Sequence, residues 1–254
     1  MDRTRITTCN SEELMPTAET IISDLKKLGN PDQVAHCQRF FKTAPGEYGE
    51  GDQFLAIRNP NLRAYIKTVW KETSHEEVLQ LLQSPFHEAR LCALLIWVHQ
   101  FPKTDDEGKK RIFEAYLDHT NRINNWDLVD LSAYQIVGSY LKEKDRDVLY
   151  KLAESKLLWD RRIAIISTWI FIRNHDFADT LELAEKLLFN TEDLMHKAVG
   201  WMLREVGKRE KQVLCDFLDE YAPTMPRTTL RYAIEKFNKE ERQHYMELKQ
   251  KLQK

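Results

Sequence analysis

Trp126 and Asp130 stand four residues apart in the run Asn125-Trp126-Asp127-Leu128-Val129-Asp130, and on a helix that spacing puts an indole face and a carboxylate side by side. Asp127 and Asp130, three apart, also share a helix side. A carboxylate beside an aromatic face can stabilise a cation that develops during a reaction. Further along the chain, Trp159 precedes Arg161-Arg162, and Trp201 follows Lys197 by one helical turn. Rings, cations and one acid in this arrangement suit a polyanionic ligand that carries an electron-poor group. The same spacing also fits tryptophans packed between helices, with Asp127 or Asp130 capping a helix or paired with an arginine.

The elements that must position these groups announce themselves as a repeat. Arg90-Leu-Cys-Ala, Trp126, Arg162-Ile-Ala-Ile, Lys197-Ala-Val-Gly and Arg231-Tyr-Ala-Ile follow one another at intervals of 36, 36, 35 and 34 residues. That period belongs to stacked helix pairs, and in such a stack equivalent positions fall on one concave side. Arg90, Trp126, Asp130, Arg162, Lys197 and Arg231 are therefore expected to share a groove. Helix punctuation supports this reading. Ser74-His-Glu-Glu77 has capping-box spacing, Ser84-Pro85 reads as a cap followed by a first-turn proline, and Thr191-Glu192-Asp193 places acids at a helix start. Apolar residues at helical spacing follow, such as Leu91, Leu94, Leu95 and Val98, and no period-two alternation suggests strands. The glycine-dense stretch Pro45–Gly51 separates an N-terminal helical portion from the repeats.

Composition narrows the function classes. The chain has 254 residues, 42% hydrophobic and 31% charged, with net charge −2, which is helix-rich soluble composition and long enough for one elongated array. No run approaches the roughly 20 apolar residues of a membrane span, and the first residues lack a signal-peptide apolar region, so a cytoplasmic protein is expected. Cys9, Cys37, Cys92 and Cys215 are scattered, which suggests neither a zinc knuckle nor a disulfide framework. Net charge alone speaks against a nucleic-acid partner, but Lys197, Arg204, Lys208, Arg209 and Lys211 cluster against only Glu205 and Glu210. That cluster fits a local basic stripe or a solvated face of alternating charge. Gly51 is followed by Asp52-Gln53 rather than Lys-Ser/Thr, His87-Glu88 lacks a second histidine at position 91, and no Gly-x-Ser-x-Gly occurs. Phosphate-loop, zinc-protease and serine-hydrolase chemistries are thereby excluded as local motifs.

Three segments in register, Asn125–Asp130, Trp159-Asp-Arg-Arg162-Ile-Ala and Lys197-Ala-Val-Gly-Trp201-Met-Leu-Arg204-Glu, resemble the AlkD family of DNA alkylation-repair glycosylases. The segment from Gly46 to Leu55 also resembles that family's N-terminal loop, and the likeness spans about residues 20 to 237. The resemblance implies an all-α, right-handed solenoid of HEAT-like antiparallel helix pairs with a concave DNA-binding face. On that reading the chain is a single repeat domain: an extension at 1–18, a helical portion with the glycine loop at 19–60, repeats at 61–238 and a helical tail at 239–254. Carried over residue by residue, the resemblance implies Asp130 as catalytic carboxylate, Trp126 and Trp201 as rings lining the cleft, and Arg162 as the arginine of the catalytic site. DNA contacts are expected from Arg90, Asp127, Arg161, Lys197, Arg204, Arg231 and Phe40. Phe40-Phe41 stand where the family's tyrosine is looked for, so a hydroxyl contact is expected to be lost.

The implied reaction needs few groups. A purine alkylated at N3 or N7 already carries positive charge and leaves without a general acid. The sugar, turning oxocarbenium-like, is what a carboxylate stabilises. Arg162, Arg90, Lys197, Arg204 and Arg231 are expected on phosphates. No metal and no cofactor is expected; the partner is double-stranded DNA bearing alkylated purines, bound by a monomer associated with the nucleoid. Two other readings stay open: a DNA-structure-binding relative without excision, and a protein-binding HEAT scaffold. The repair reading requires Asp130 to face an electropositive furrow rather than to be locked to a neighbour in the interior.

Overall fold

In the computed structural model, residues 15–251 are described. Most of the extension expected at 1–18 lies outside them, as does Cys9. Among the described residues there is no β-strand, only an isolated bridge between Gln53 and Phe86. The chain is an all-α helical repeat.

The helices fall into two rows. The outer row comprises α1 (Ala18–Leu28), α4 (His75–Leu82), α6 (Asp106–Asp118), α9 (Asp147–Ala153), α12 (Ala178–Leu187) and α14 (Lys211–Tyr221). The inner row comprises α3 (Asn59–Val69), α5 (His87–Gln100), α7 (Trp126–Asp130), which leads through a π-helix at Tyr134–Gly138 into α8 (Ser139–Leu141), then α10 (Leu158–Ser167) with α11 (Trp169–Ile172), α13 (Asp193–Arg209) and α15 (Arg227–Ala233). Short α2 (Val34–Phe40) stands before the glycine loop, and α16 (Lys239–Lys251) is the last helix among the described residues. Outer helices pack on inner ones, α4 on α5, α9 on α10, α12 on α13, and inner helices pack in series from α3 to α15. One continuous apolar core runs from Ala18 to Tyr245. The expected repeat positions Arg90, Trp126, Arg162, Lys197 and Arg231 all fall within the first five residues of inner helices.

The chain achieves close stacking through small residues. At Gly138 a Cβ atom would lie 2.2 Å from the Ser167 carbonyl, and at Gly200 it would lie 2.6 Å from the Thr229 carbonyl. Glycine therefore sets the approach of the π-helix to α10 and of α13 to α15. Helix starts differ from the sequence reading in instructive ways. Ser74 does accept a hydrogen bond from the Glu77 amide, but Glu77 does not return to Ser74; its carboxylate accepts from the Ala18 amide and caps α1 instead. Ser84 turns toward the Phe86 amide, so α5 begins at His87 and Pro85 lies before it. Tertiary partners outcompete the local ones in both places.

Candidate active site and nucleic-acid interface

A cleft of about 630 Å³ opens on the inner row, lined among others by Phe40, Tyr48, Trp126, Asp130, Lys197 and Trp201. A second, more apolar cleft of about 450 Å³ adjoins it, lined by Phe41, Phe54, His87 and Leu91. Phe40, Trp126 and Asp130 line both. Asp130 thus lies where the two clefts meet.

The Asp130 carboxylate is not free. Arg162 donates from Nε to Oδ1 at 2.8 Å and from Nη2 to Oδ2 at 2.8 Å, and from Nη1 to the Leu194 carbonyl at 2.5 Å. The expectation that Arg162 binds phosphate is corrected: each of its three nitrogens is committed inside the protein, and its side chain is 5% exposed. Asp130 keeps 15% exposure, and a carboxylate oxygen with one donor retains a lone pair for a second interaction. Burial lifts its carboxyl above the ordinary 3.8, with Arg162 pulling the other way. The result is a buried, bidentate pair with one carboxylate edge turned to the cleft, preorganised in the sense that neither group must reorient to act.

Trp126 is held from three sides. Asn125 caps α7 through the Trp126 amide at 2.9 Å, Phe41 stacks on the indole at 5.5 Å and Phe40 meets it edge-on at 6.0 Å. Phe40 is 57% exposed and forms the cleft mouth. Tyr48 of the glycine loop lines the cleft near Trp126 and Lys197. Positive φ at Gly46 and Gly51 lets the loop double back to place it. The sequence marked the loop from Gly46 to Leu55 as a whole but not Tyr48 within it, because its position is set by a loop fold and not by a period. Trp201 lines the opposite wall and lies 6.5 Å from Trp169, whereas Trp159 is buried with its ring edge against Tyr48.

Beneath Phe41 and Phe54 lies a buried charge cluster. His87 Nε2 meets Asp127 Oδ2 at 2.8 Å and His87 Nδ1 lies 3.5 Å from Asp52 Oδ2, while Arg90 Nη2 holds Asp52 Oδ1 at 2.7 Å. Burial opposes charge on His87, but Asp127 and Asp52 outweigh it and push its pKa up to about 9. Two corrections follow. Arg90, 1% exposed, also donates to the Ser84 and Pro85 carbonyls, so it is a structural tie and not a groove cation. Asp127, 8% exposed, meets His87 and accepts from the Leu128 amide at its own helix start, so it positions α7, and it lines the second cleft rather than the first.

The remaining members of the expected basic row are all but one ion-paired. Arg161 spends its guanidinium on the Ser155 and Lys156 carbonyls and on Glu192, and so is withdrawn from the groove. Lys197 pairs with Asp193 at 2.8 Å and Arg204 with Glu235, yet both line the cleft. Arg231 is exposed, but its neighbour Tyr232 is the one that lines the cleft. An electropositive furrow made of the repeat-start cations is therefore not what the fold builds, and Asp130 is paired with an arginine, the alternative its spacing also allowed; the expectation of an unlocked acid facing such a furrow is corrected to a locked acid that keeps 15% exposure at the cleft. Among the described residues no group of three or more His, Cys, Asp or Glu is arranged to hold a metal, and no helix is long and apolar enough to cross a membrane.

Fold and cleft together define a helical-repeat protein whose inner row presents aromatic rings, exchangeable cations and an arginine-held carboxylate to a ligand. A family model for DNA alkylation repair enzymes matches residues 21–237. The chain belongs to that family, with a role in DNA alkylation repair and DNA as its substrate. A solved structure described as a predicted DNA alkylation repair enzyme from Enterococcus faecalis is similar in fold, with TM-score 0.65 and 18% identity over 83% of this chain and 97% of that one. No curated protein matches the sequence.

Proposed function

We propose that the protein hydrolyses the N-glycosidic bond of cationic N3- or N7-alkylated purines in duplex DNA. The observation that carries this reading is the part of Asp130 that stays exposed where two clefts meet, in a cleft also lined by Trp126 and Trp201, even though Arg162 holds the carboxylate. The alkylated base takes the bonding electrons and leaves neutral. The sugar is left with oxocarbenium character, and the exposed edge of Asp130 lies ready to stabilise it while rings stack nearby. Water then adds to the anomeric carbon and gives its proton to solvent or to Asp130. Arg162 acts as a positioning residue: it fixes the carboxylate and favours its ionised form. The test is release of free methylpurine from an alkylated duplex.

A second reading, damage or structure recognition without excision, is favoured by one observation: both oxygens of Asp130 already accept from Arg162. Binding to alkylated duplex without release of free base is the outcome that selects it. A protein-binding scaffold has least support, since a cleft-facing acid between tryptophans serves it no purpose.

A further inference from the structure

The cations that the period singled out sit near the starts of the inner helices, and nearly all are consumed by carboxylates or carbonyls. Three other cations of the inner row are different. Arg63 and Lys67 in α3 and Arg173 just after α11 are exposed, and among the described residues none of the three is in an ion pair or side-chain hydrogen bond. They are set among rings. Arg173 lies 5.5 Å over Trp169, and Trp169 meets Tyr134 edge-on at 4.3 Å. The charges acting on Tyr134 are Arg173 and Arg63, and those acting on His99 are Arg63 and Lys67. The three cations thus bracket one stretch of the inner row, with no carboxylate among the charges that those two rings feel. Tyr134 stands one turn beyond Asp130, and Trp169 lies 6.5 Å from Trp201, so this stretch is continuous with the cleft.

We infer that Arg63, Lys67 and Arg173, interleaved with His99, Tyr134 and Trp169, form a phosphate-binding track for a DNA strand along the inner row. A free guanidinium or ammonium can bind phosphate without first giving up a carboxylate, which Lys197 and Arg204 must do. Half-buried rings alternating with exposed cations fit a sugar-phosphate backbone more closely than they fit a protein surface. The track holds substrate and does no chemistry. It rests on the DNA-binding part of the proposed function and is independent of the excision step.

The experiment compares wild type, the triple variant Arg63→Ala/Lys67→Ala/Arg173→Ala, and a control triple variant Lys110→Ala/Lys151→Ala/Lys186→Ala on the outer row. Binding to a plain duplex is measured by fluorescence anisotropy across a salt series. At about 0.9 per phosphate contact, the slope of log K against log salt becomes shallower by about 2.7 in the first triple variant and stays at the wild-type value in the control. All six positions are exposed, and an unchanged melting temperature verifies folding. A wild-type slope in the first triple variant overturns the track while leaving the DNA-binding reading intact; absence of wild-type binding to any duplex overturns both.

Discussion

At the residue scale, the account turns on how a carboxylate can be locked and still act. Arg162 takes one lone pair from each Asp130 oxygen, so what reaches the cleft is the negative edge of a dipole whose direction is fixed. The sequence placed Trp126 and Asp130 side by side correctly, because i and i+4 spacing depends only on local helix geometry. It could not place Arg162 on Asp130, because that pairing joins neighbouring repeats. Tyr48 was illegible for a similar reason, as its position depends on how the glycine loop folds back. Tyr48→Phe removes one polar contact worth about 0.5 to 1.5 kcal/mol, so duplex affinity measured by anisotropy is expected to fall about two- to tenfold with the fold unchanged; identical affinity would show that the phenol only packs.

At the element scale, α7 is five residues long and cannot hold itself. Its start is fixed by Asn125 and by Asp127, which the buried His87 anchors to α5 and, through Asp52 and Arg90, to the glycine loop. The charged His87 therefore positions the helix that carries Trp126 and Asp130. With its folded pKa raised from 6.5 to about 9, its contribution to stability is fully present below pH 6.5 and lost as pH rises through about 9. Thermal melts of wild type should show a decline across that window, whereas in His87→Gln the decline should flatten from a lower starting point. A change of 1 kcal/mol moves the melting temperature about 2 to 4 °C in a chain of this size. Equal pH profiles in the two proteins would remove the ion cluster from the account. The sequence hid this cluster because His87-Glu88 was read only as a failed zinc motif, while its partners lie 35 residues before and 40 after.

At the scale of the whole molecule, the repeat was the most legible feature, since a period survives any detail of packing. It located the inner row and the starts of its helices. It misjudged what those starts do, because buried N-terminal ends of α5 and α10 surround Arg90 and Arg162 with carbonyls and acids that satisfy them internally. Lys197–Asp193 and Arg204–Glu235 are the cleft-lining exceptions; the first, with side chains 40% and 60% exposed, is worth about 0 to 1 kcal/mol, whereas Arg204 is half-buried. Lys197→Ala should therefore leave the melting temperature nearly unchanged and weaken duplex binding, as measured by anisotropy at moderate salt. The central claim is tested most directly by single-turnover release of methylpurine from alkylated duplex at saturating enzyme, wild type against Asp130→Asn. The amide keeps the size of the side chain and removes its charge, so the account predicts a loss of a hundredfold or more, in line with about 2.7 to 4 kcal/mol for a preorganised electrostatic group. Release within a few-fold of wild type would contradict it.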